Sequence, residues 1–138
     1  MSKAAADQPL TDVEYRVLAR FRFALRVFLR FSENEARRAG VTPKQHQLLL
    51  AIRGSAHPPT ISDVANALQQ RHHSTVELVD RAVDARLVAR EADPDDRRRQ
   101  RLILTPKGAS VLGSLSRAHR DELRRFRGEM SQILRELG

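Results

Sequence analysis

The chain contains no cysteine among its 138 residues, and this absence removes several kinds of chemistry. Disulfide bridges, thiolate metal sites and thiol redox sensors all require cysteine, so a metal site would have to use histidine and carboxylate ligands. The five histidines do not have the spacing of a metal motif, because no two of them lie one helical turn apart beside carboxylates. We therefore expect no metal and no other cofactor.

Catalytic motifs and long apolar runs are also missing. No serine lies in a nucleophile elbow, no glycine-rich phosphate loop is present, and the carboxylates are dispersed or adjacent to arginines. No stretch approaches the roughly 20 apolar residues that cross a membrane, and residues 1–9 are short and polar, unlike a signal peptide. We expect a cytoplasmic protein that is not an enzyme and has no membrane partner.

The chain does have an excess of positive charge. Its formal net charge is +8 and its isoelectric point is near 11.2. Such a field attracts polyanions and makes nucleic acid the leading partner. Charged surfaces also keep proteins soluble, so the total charge does not decide the function. The positions of the basic residues must decide it.

Three of the arginines follow an acidic turn in residues 93–99, DPDDRRR, just before the alternating segment 100–104. Pro94 and the aspartates form turns readily, so the pattern predicts the tip of a β-hairpin. Arginine is the cation best suited to phosphate and to the narrow minor groove of DNA, because its planar group donates hydrogen bonds in pairs. The predicted DNA-binding residues of this hairpin are Asp96, Arg97, Arg98 and Arg99.

Capping patterns predict three helices in the first half of the chain. The first begins near Asp12 and ends before Gly40, the second follows the cap Thr42 and runs to about Arg53, and the third spans residues 61–68. The first is long and carries several phenylalanines on so small a chain. We infer that part of it packs on a partner chain.

A fourth helix is predicted from about His73 to Ala85, after a tight turn at residues 69–72. Burial of Thr75, Leu78, Val79 and Ala82 would leave a polar face near the helix start. That face could reach base edges in a major groove, although taken alone its residues would be ordinary solvated side chains. The neighbouring helix and hairpin favour the DNA-binding interpretation. Its residues are Arg71, His72, His73, Ser74, Glu77 and Arg81.

Four short segments match a known pattern, namely residues 78–81 (LVDR), 87–88 (LV), 96–98 (DRR) and 104–108 (LTPKG). Through them, and from about Leu10 to Arg125, the chain resembles the MarR-type winged helix regulators of bacteria. The resemblance implies a mainly α fold with a small β-hairpin wing, an α/β winged helix-turn-helix. It also implies a homodimer joined by helices at both termini, and a sequence-specific repressor that a small ligand often relieves. In the family's wing motif the acid, here Asp96, orients the arginine that enters the minor groove, here Arg98.

The chain departs from the family pattern at three places. Gln70 stands in the turn where an apolar residue is usual, and Arg86 stands where a glycine normally ends the fourth helix. A non-glycine residue in a left-handed cap costs about 1 kcal/mol, so we predict that this helix end frays or closes differently. The adjacent histidines, His72 and His73, suggest a different operator sequence.

The predicted organisation has a flexible N-terminus (residues 1–9), a DNA-binding lobe (41–105) and a helical dimerisation region (10–40 with 106–138). The C-terminal segment has an apolar seam at alternating spacings of four and three, which suits helix packing between two chains. Packing of this seam on its own chain is the alternative, and Gly128 leaves a kink or break in the helix open. The seam includes His119, and its predicted dimer contacts are Leu123, Phe126, Met130, Ile133 and Leu137.

A cavity for a small effector of unknown identity is predicted where the first, second and last helices meet, because such junctions often leave concave apolar space. Ordinary core packing is the alternative for each residue. The candidate lining residues are Phe21, Phe28, His46 and Leu50.

These features together predict a homodimer that binds double-stranded DNA at a pseudo-palindrome whose half-sites lie about 10 base pairs apart. One alternative is a basic architectural or RNA-binding protein that coats nucleic acid without choosing a sequence. Another is a ligand-binding scaffold that has lost its DNA role.

Overall fold

The computed structural model describes residues 7–138, which form two compact units. One unit spans residues 33–118, and the other combines residues up to 32 with residues 119–138. The division between these compact units falls inside two long helices, and the predicted boundaries of the DNA-binding lobe and dimerisation region at residues 40 and 106 stay a prediction. In chain order the elements are α1 (Asp12–Arg38), α2 (Pro43–Arg53), α3 (Ile61–Ala67), α4 (His72–Asp84), β1 (Val88–Ala92), β2 (Gln100–Leu104) and α5 (Pro106–Leu137).

The predicted fold class is confirmed, since the described residues are mainly helical with one two-stranded hairpin. The strands pair antiparallel, from Val88 opposite Leu104 to Ala92 opposite Gln100. None of the helices in residues 7–138 is both long enough and apolar enough to cross a membrane.

Local capping explains where α2 and α3 begin. The Thr42 hydroxyl accepts a hydrogen bond from the Gln45 N–H at 3.1 Å, and the Gln45 side chain accepts one from the Thr42 N–H at 3.0 Å. Thr60 and Asp63 form the same reciprocal pair at the start of α3. Each pair satisfies two amides that a helix start would otherwise leave free.

The core of the 33–118 unit lies between α2, α3, α4 and the hairpin. The four residues of α4 predicted to be inward are all buried, which confirms the predicted orientation of that helix. Burial of apolar area of this kind is the main stabilising contribution to the unit. Its largest fully buried apolar side chains are Leu48, Leu49, Val64, Val79, Leu87, Val88 and Leu102.

Gly108 lies where α5 passes closest to the root of the hairpin. A Cβ atom at this position would stand 2.0 Å from the Leu87 carbonyl oxygen, far inside van der Waals contact. Only glycine permits this approach. The Gly108 N–H also donates to the Thr105 hydroxyl at 3.0 Å, which holds the first turn of α5 in place.

The terminal unit packs α1 against the end of α5. Val17, Ala24 and Ile133 are buried there, with Phe126 and Met130 packed against them. Helix α5 continues through Gly128 without a break, which settles the alternative that the sequence left open. Part of the predicted dimer seam thus packs on its own chain, whereas Leu123 and Leu137 are each about half exposed.

Aromatic contacts extend this packing toward His119. Its Nε2 atom lies 2.8 Å from the Ser32 hydroxyl oxygen, and the rings of Phe28 and Phe31 meet the imidazole edge-on. The Phe28 ring also lies 5.1 Å from that of Phe126, centroid to centroid. Phe28 therefore contributes to the packing of the terminal unit.

Candidate nucleic-acid interface

Helix α4 presents the polar face that the sequence predicted. His72, His73, Glu77 and Arg81 are exposed and Ser74 is half-buried, on the side opposite the buried set. Arg71, the exposed N-cap residue, makes no side-chain capping bond within the described part of the chain. The first two turns of α4 thus combine exposed donors and acceptors with helical geometry, as contact with base edges requires.

Gln70 is accommodated by a hydrogen bond. Its side-chain oxygen accepts from the buried hydroxyl of Thr75 at 3.2 Å, and that hydroxyl also lies 3.0 Å from the Arg71 carbonyl oxygen. Gln69 takes the left-handed conformation that closes α3, with φ of 52°. A polar residue in this turn therefore meets a polar partner in the following helix.

The prediction that the end of α4 frays or closes differently is wrong. Arg86 adopts φ of 62°, and the N–H of Leu87 donates to the Ala82 carbonyl at 2.9 Å, the usual closure with a left-handed residue. Two partners from farther along the chain hold this closure. The Thr105 hydroxyl donates to the Arg86 carbonyl at 2.6 Å, and Lys107 Nζ donates to the Ala85 carbonyl at 3.0 Å.

Asp93 organises the turn of the wing, the hairpin formed by β1, β2 and residues 93–99. Its Oδ1 atom accepts from the N–H groups of Asp95 at 2.8 Å and Asp96 at 3.3 Å, while Oδ2 accepts from Arg101 Nε at 2.8 Å. These bonds, the one from Asp95 above all, lower the pKa of the Asp93 carboxyl. An ionised, almost fully buried carboxylate therefore folds the turn around itself.

Arg101 connects that turn to the segment before α3. Besides Asp93, it donates from Nη1 to the Pro58 carbonyl at 2.8 Å, and the neighbouring Leu102 N–H donates to the Pro59 carbonyl at 2.8 Å. Sequence reasoning missed both Asp93 and Arg101 as positioning residues. The turn-forming role of Asp93 was visible in the sequence, but its arginine partner and the Pro58 carbonyl were not.

The arginines at the wing tip point into solvent. The Arg98 side chain is 92% exposed, and its Nε atom lies 3.3 Å from Asp96 Oδ1, which also accepts from the Arg98 N–H at 3.0 Å. Arg99 Nε lies 4.0 Å from the other Asp96 oxygen. Asp96 thus contacts both arginines, and the contact with Arg98 is the one that the resemblance implies. Arg97 is also exposed.

Two open concavities flank α4. One, of about 480 Å³, joins the start of α4 to the wing, because His72, Arg98 and Arg99 all line it. The other, of about 320 Å³, lies between α4 and the start of α2, where Lys44 joins Ser74, Glu77 and Arg81. An ion pair from Arg90 of β1 to Asp80 further ties the wing to α4. Of the predicted residues, His72 of the helix and Arg98 and Arg99 of the wing therefore share one concavity, whereas Ser74, Glu77 and Arg81 line the other.

The predicted effector-cavity residues are not brought together within one unit. Phe21 and Phe28 belong to the terminal unit, whereas the buried His46 and the exposed Leu50 belong to the 33–118 unit. The cavity stays a prediction. Among residues 7–138, no three histidine, aspartate or glutamate side chains are grouped as metal ligands.

Three helices followed by a hairpin, with a polar helix face beside a cationic hairpin tip, define a winged helix-turn-helix protein. Residues 39–99 match the model of the MarR family. Residues 39–99 thus form a winged helix-turn-helix of the MarR type, which confirms the resemblance found in the sequence.

Solved structures show the same fold. AbsC, a MarR family transcriptional regulator from Streptomyces coelicolor, is 25% identical with a TM-score of 0.75, over 94% of this chain and 90% of AbsC. Rv1404 from Mycobacterium tuberculosis is 23% identical with a TM-score of 0.73, over 94% and 92%. MepR of S. aureus, solved in complex with DNA, is 20% identical with a TM-score of 0.65, over 86% and 98%. No curated protein matches the chain in sequence.

Proposed function

We propose that this protein is a sequence-specific, double-stranded DNA-binding transcriptional regulator that acts as a homodimer and represses its target genes. The observation that carries the proposal is the concavity that His72, at the start of the polar face of α4, shares with the exposed Arg98. A helix on such a surface fits the major groove, and an arginine on a hairpin tip fits the adjacent minor groove. MepR, which shares the fold, has been solved in complex with DNA, and this supports DNA binding by the present protein.

Exposed apolar side chains on the terminal helices support the homodimer. Several large residues of α1, and three more near the end of α5, lie open to solvent in the single chain, and a second chain would cover them. Two chains would then place two α4 helices about 10 base pairs apart on a pseudo-palindrome. A small ligand would relieve repression by changing that separation. The exposed residues are Val13, Tyr15, Leu18, Phe21, Phe23, Leu29, Leu123, Leu134 and Leu137.

Binding to DNA from just upstream of the protein's own coding sequence, compared with a mixed-sequence duplex across a salt series, tests the proposal. Arg98→Ala should weaken binding to both duplexes by about 1–3 kcal/mol. It should also reduce the slope of log K against log salt by about 0.9, because one positive charge fewer displaces counterions from the DNA. Changing His73 or Glu77 should instead alter which sequence is preferred, since those side chains face base edges.

Arg120→Ala is the matched control, because it removes the same charge from an exposed position in the terminal unit. It should leave affinity and salt slope close to those of the parent protein. Unchanged affinity and slope for Arg98→Ala would refute the wing assignment. Equal affinity for the upstream and mixed duplexes would instead favour the architectural alternative, which the net charge of +8 makes the second candidate.

A further inference from the structure

The first two turns of α4, residues 72–79, carry a single acidic side chain, that of Glu77. Glu77 is exposed and lies one turn after His73, about 150° around the helix axis from the middle of the buried set. In a helix-turn-helix protein, side chains near the start of the second helix reach base edges in the major groove. If the protein binds DNA as proposed, the Glu77 carboxylate therefore faces bases.

The Glu77 carboxylate is unpaired. It forms no ion pair with any residue in the described part of the chain, although Lys44 and Arg81 line the same groove. The two later acids of α4 are placed differently, because Asp80 is paired with an arginine of β1 and Asp84 is the last residue of the helix. Glu77 is thus the acidic acceptor that α4 leaves free on its proposed DNA-binding face.

A free carboxylate on this face acts against most DNA sequences. It is repelled by the phosphates, so it weakens binding to every sequence that offers it no hydrogen-bond donor. Lys44 and Arg81 lie beside it in the groove, where they can bind phosphates and offset part of the repulsion. The position of Glu77 is therefore suited to selecting a sequence rather than to adding affinity.

The chemistry of the base edges decides which base a carboxylate selects. In the major groove the hydrogen-bond donors are the N4 amino group of cytosine and the N6 amino group of adenine. Adenine also presents its N7 acceptor beside that amino group, and N7 repels a carboxylate, whereas cytosine has a C–H group at the corresponding place. A carboxylate therefore pairs best with cytosine. A glutamine amide, which has both a donor and an acceptor, pairs with adenine instead.

We propose that Glu77 selects a C·G base pair in each half-site of the operator by accepting a hydrogen bond from the cytosine N4 amino group. This inference rests on the proposed function, and it names one base that the sequence-specific binding reads. Glu77 is a specificity-determining residue, because a site without this cytosine leaves its carboxylate facing DNA without a donor.

Selection from a pool of duplexes with a randomised centre tests this assignment and requires no knowledge of the operator. The parent protein should enrich duplexes that have cytosine at one fixed position of each half-site. Glu77→Gln should enrich adenine at that position. Glu77→Ala should accept any base there and keep the parent's preferences elsewhere. A switch from cytosine to adenine is a result that a purely structural role of Glu77 would not produce.

A duplex from the enriched set then measures the strength of the contact. Its cytosine is replaced by a pyrimidinone that lacks the amino group. The parent protein should bind this modified duplex about 5- to 100-fold more weakly, the range expected for the loss of one base contact. Glu77→Ala should bind the two duplexes equally. Because the analogue weakens base pairing for both proteins alike, the difference between them isolates the hydrogen bond to Glu77.

Glu33→Gln is the matched control, since it makes the same substitution at an exposed glutamate of α1 within the 33–118 unit. It should enrich the same sequences as the parent protein. The proposal is overturned if Glu77→Gln also enriches those sequences unchanged, or if the base that depends on Glu77 is not cytosine. A parent protein that enriches no sequence at all would instead overturn sequence-specific binding itself, and the role of Glu77 with it.

Discussion

Arg86 and Gly108, two residues near the junction between α4 and the wing, show how backbone geometry at single positions supports the fold. The left-handed backbone conformation of Arg86 costs about 1 kcal/mol, as it does for any residue with a Cβ atom. The hydroxyl of Thr105 and the amine of Lys107 bind the two carbonyls of that turn, so the conformation is held from outside the helix. Gly108 provides the opposite case, because there a Cβ atom itself cannot fit.

Replacing Gly108 with alanine should destabilise the protein by about 1–3 kcal/mol or more, since the added carbon would collide with the rigid Leu87 backbone. The measurement is the free energy of unfolding from denaturant titration. Gly113→Ala is the matched control in the same helix, where the nearest atom is a flexible Arg117 nitrogen 3.7 Å away. There the better helix propensity of alanine should stabilise by about 0.5–1 kcal/mol. Equal changes in unfolding free energy for the two variants would contradict the close approach of Gly108 to the Leu87 backbone.

At the scale of elements, the wing turn is folded by a charge rather than by apolar burial. Asp93 is 3% exposed and receives hydrogen bonds from two backbone amides and from Arg101. Its pKa is lowered from the ordinary value of 3.8. The ionised form therefore stabilises the folded turn at every pH well above 3.8, and this stabilisation is lost as the pH falls through the lowered pKa.

Asp93→Asn should be less stable than the parent protein at neutral pH, because the neutral amide pairs poorly with Arg101. The difference in unfolding free energy should stay constant down to about pH 5 and shrink as the pH falls below 3.8 toward the lowered pKa, because the parent's carboxyl becomes protonated first in the unfolded chain and then in the folded turn. Denaturant titrations at several pH values measure it. Asp95→Asn, an exposed change in the same turn, is the control and should show no such convergence. A difference that persists unchanged in acid would contradict the role assigned to the Asp93 charge.

The elements that sequence reasoning predicted correctly are those determined by residues close together in the chain. Thr42 and Gln45 are three positions apart, so their capping pair is visible as a pattern. Arg101 and Pro58 are 43 positions apart, and nothing local reveals that they meet. The end of α4 was mispredicted for the same reason, because its support comes from Thr105 and Lys107 beyond the wing.

The C-terminal seam shows a related limit. Its alternating spacing identified an apolar face correctly, but spacing does not say which helix covers that face. Phe126, Met130 and Ile133 meet α1 of the same chain, whereas Leu123 stays exposed. The wing arginines were predicted residue by residue because charge and turn chemistry are both local features there.

At the scale of the whole molecule, the exposed apolar surface of the terminal helices bears on assembly. Phe23 is 66% exposed on α1, beside an open groove that Ile133 of α5 also lines. Large apolar side chains collected on one unit are typical of a surface that a partner covers. The homodimer proposed above would cover this surface, because a symmetric interface buries the same residues on both chains at once.

Phe23→Glu should therefore convert a dimer into a single chain of 15.7 kDa, since each interface would bury two uncompensated charges. Sedimentation equilibrium measures the mass, and the same variant should lose most of its affinity for the upstream duplex because one chain contacts one half-site. Leu50→Glu is the matched control, an equally polar change at a 53% exposed leucine of the 33–118 unit, and it should leave the mass unchanged. A parent protein that sediments as a single chain, or a Phe23→Glu protein that remains a dimer, would show that the apolar face of α1 does not join two copies.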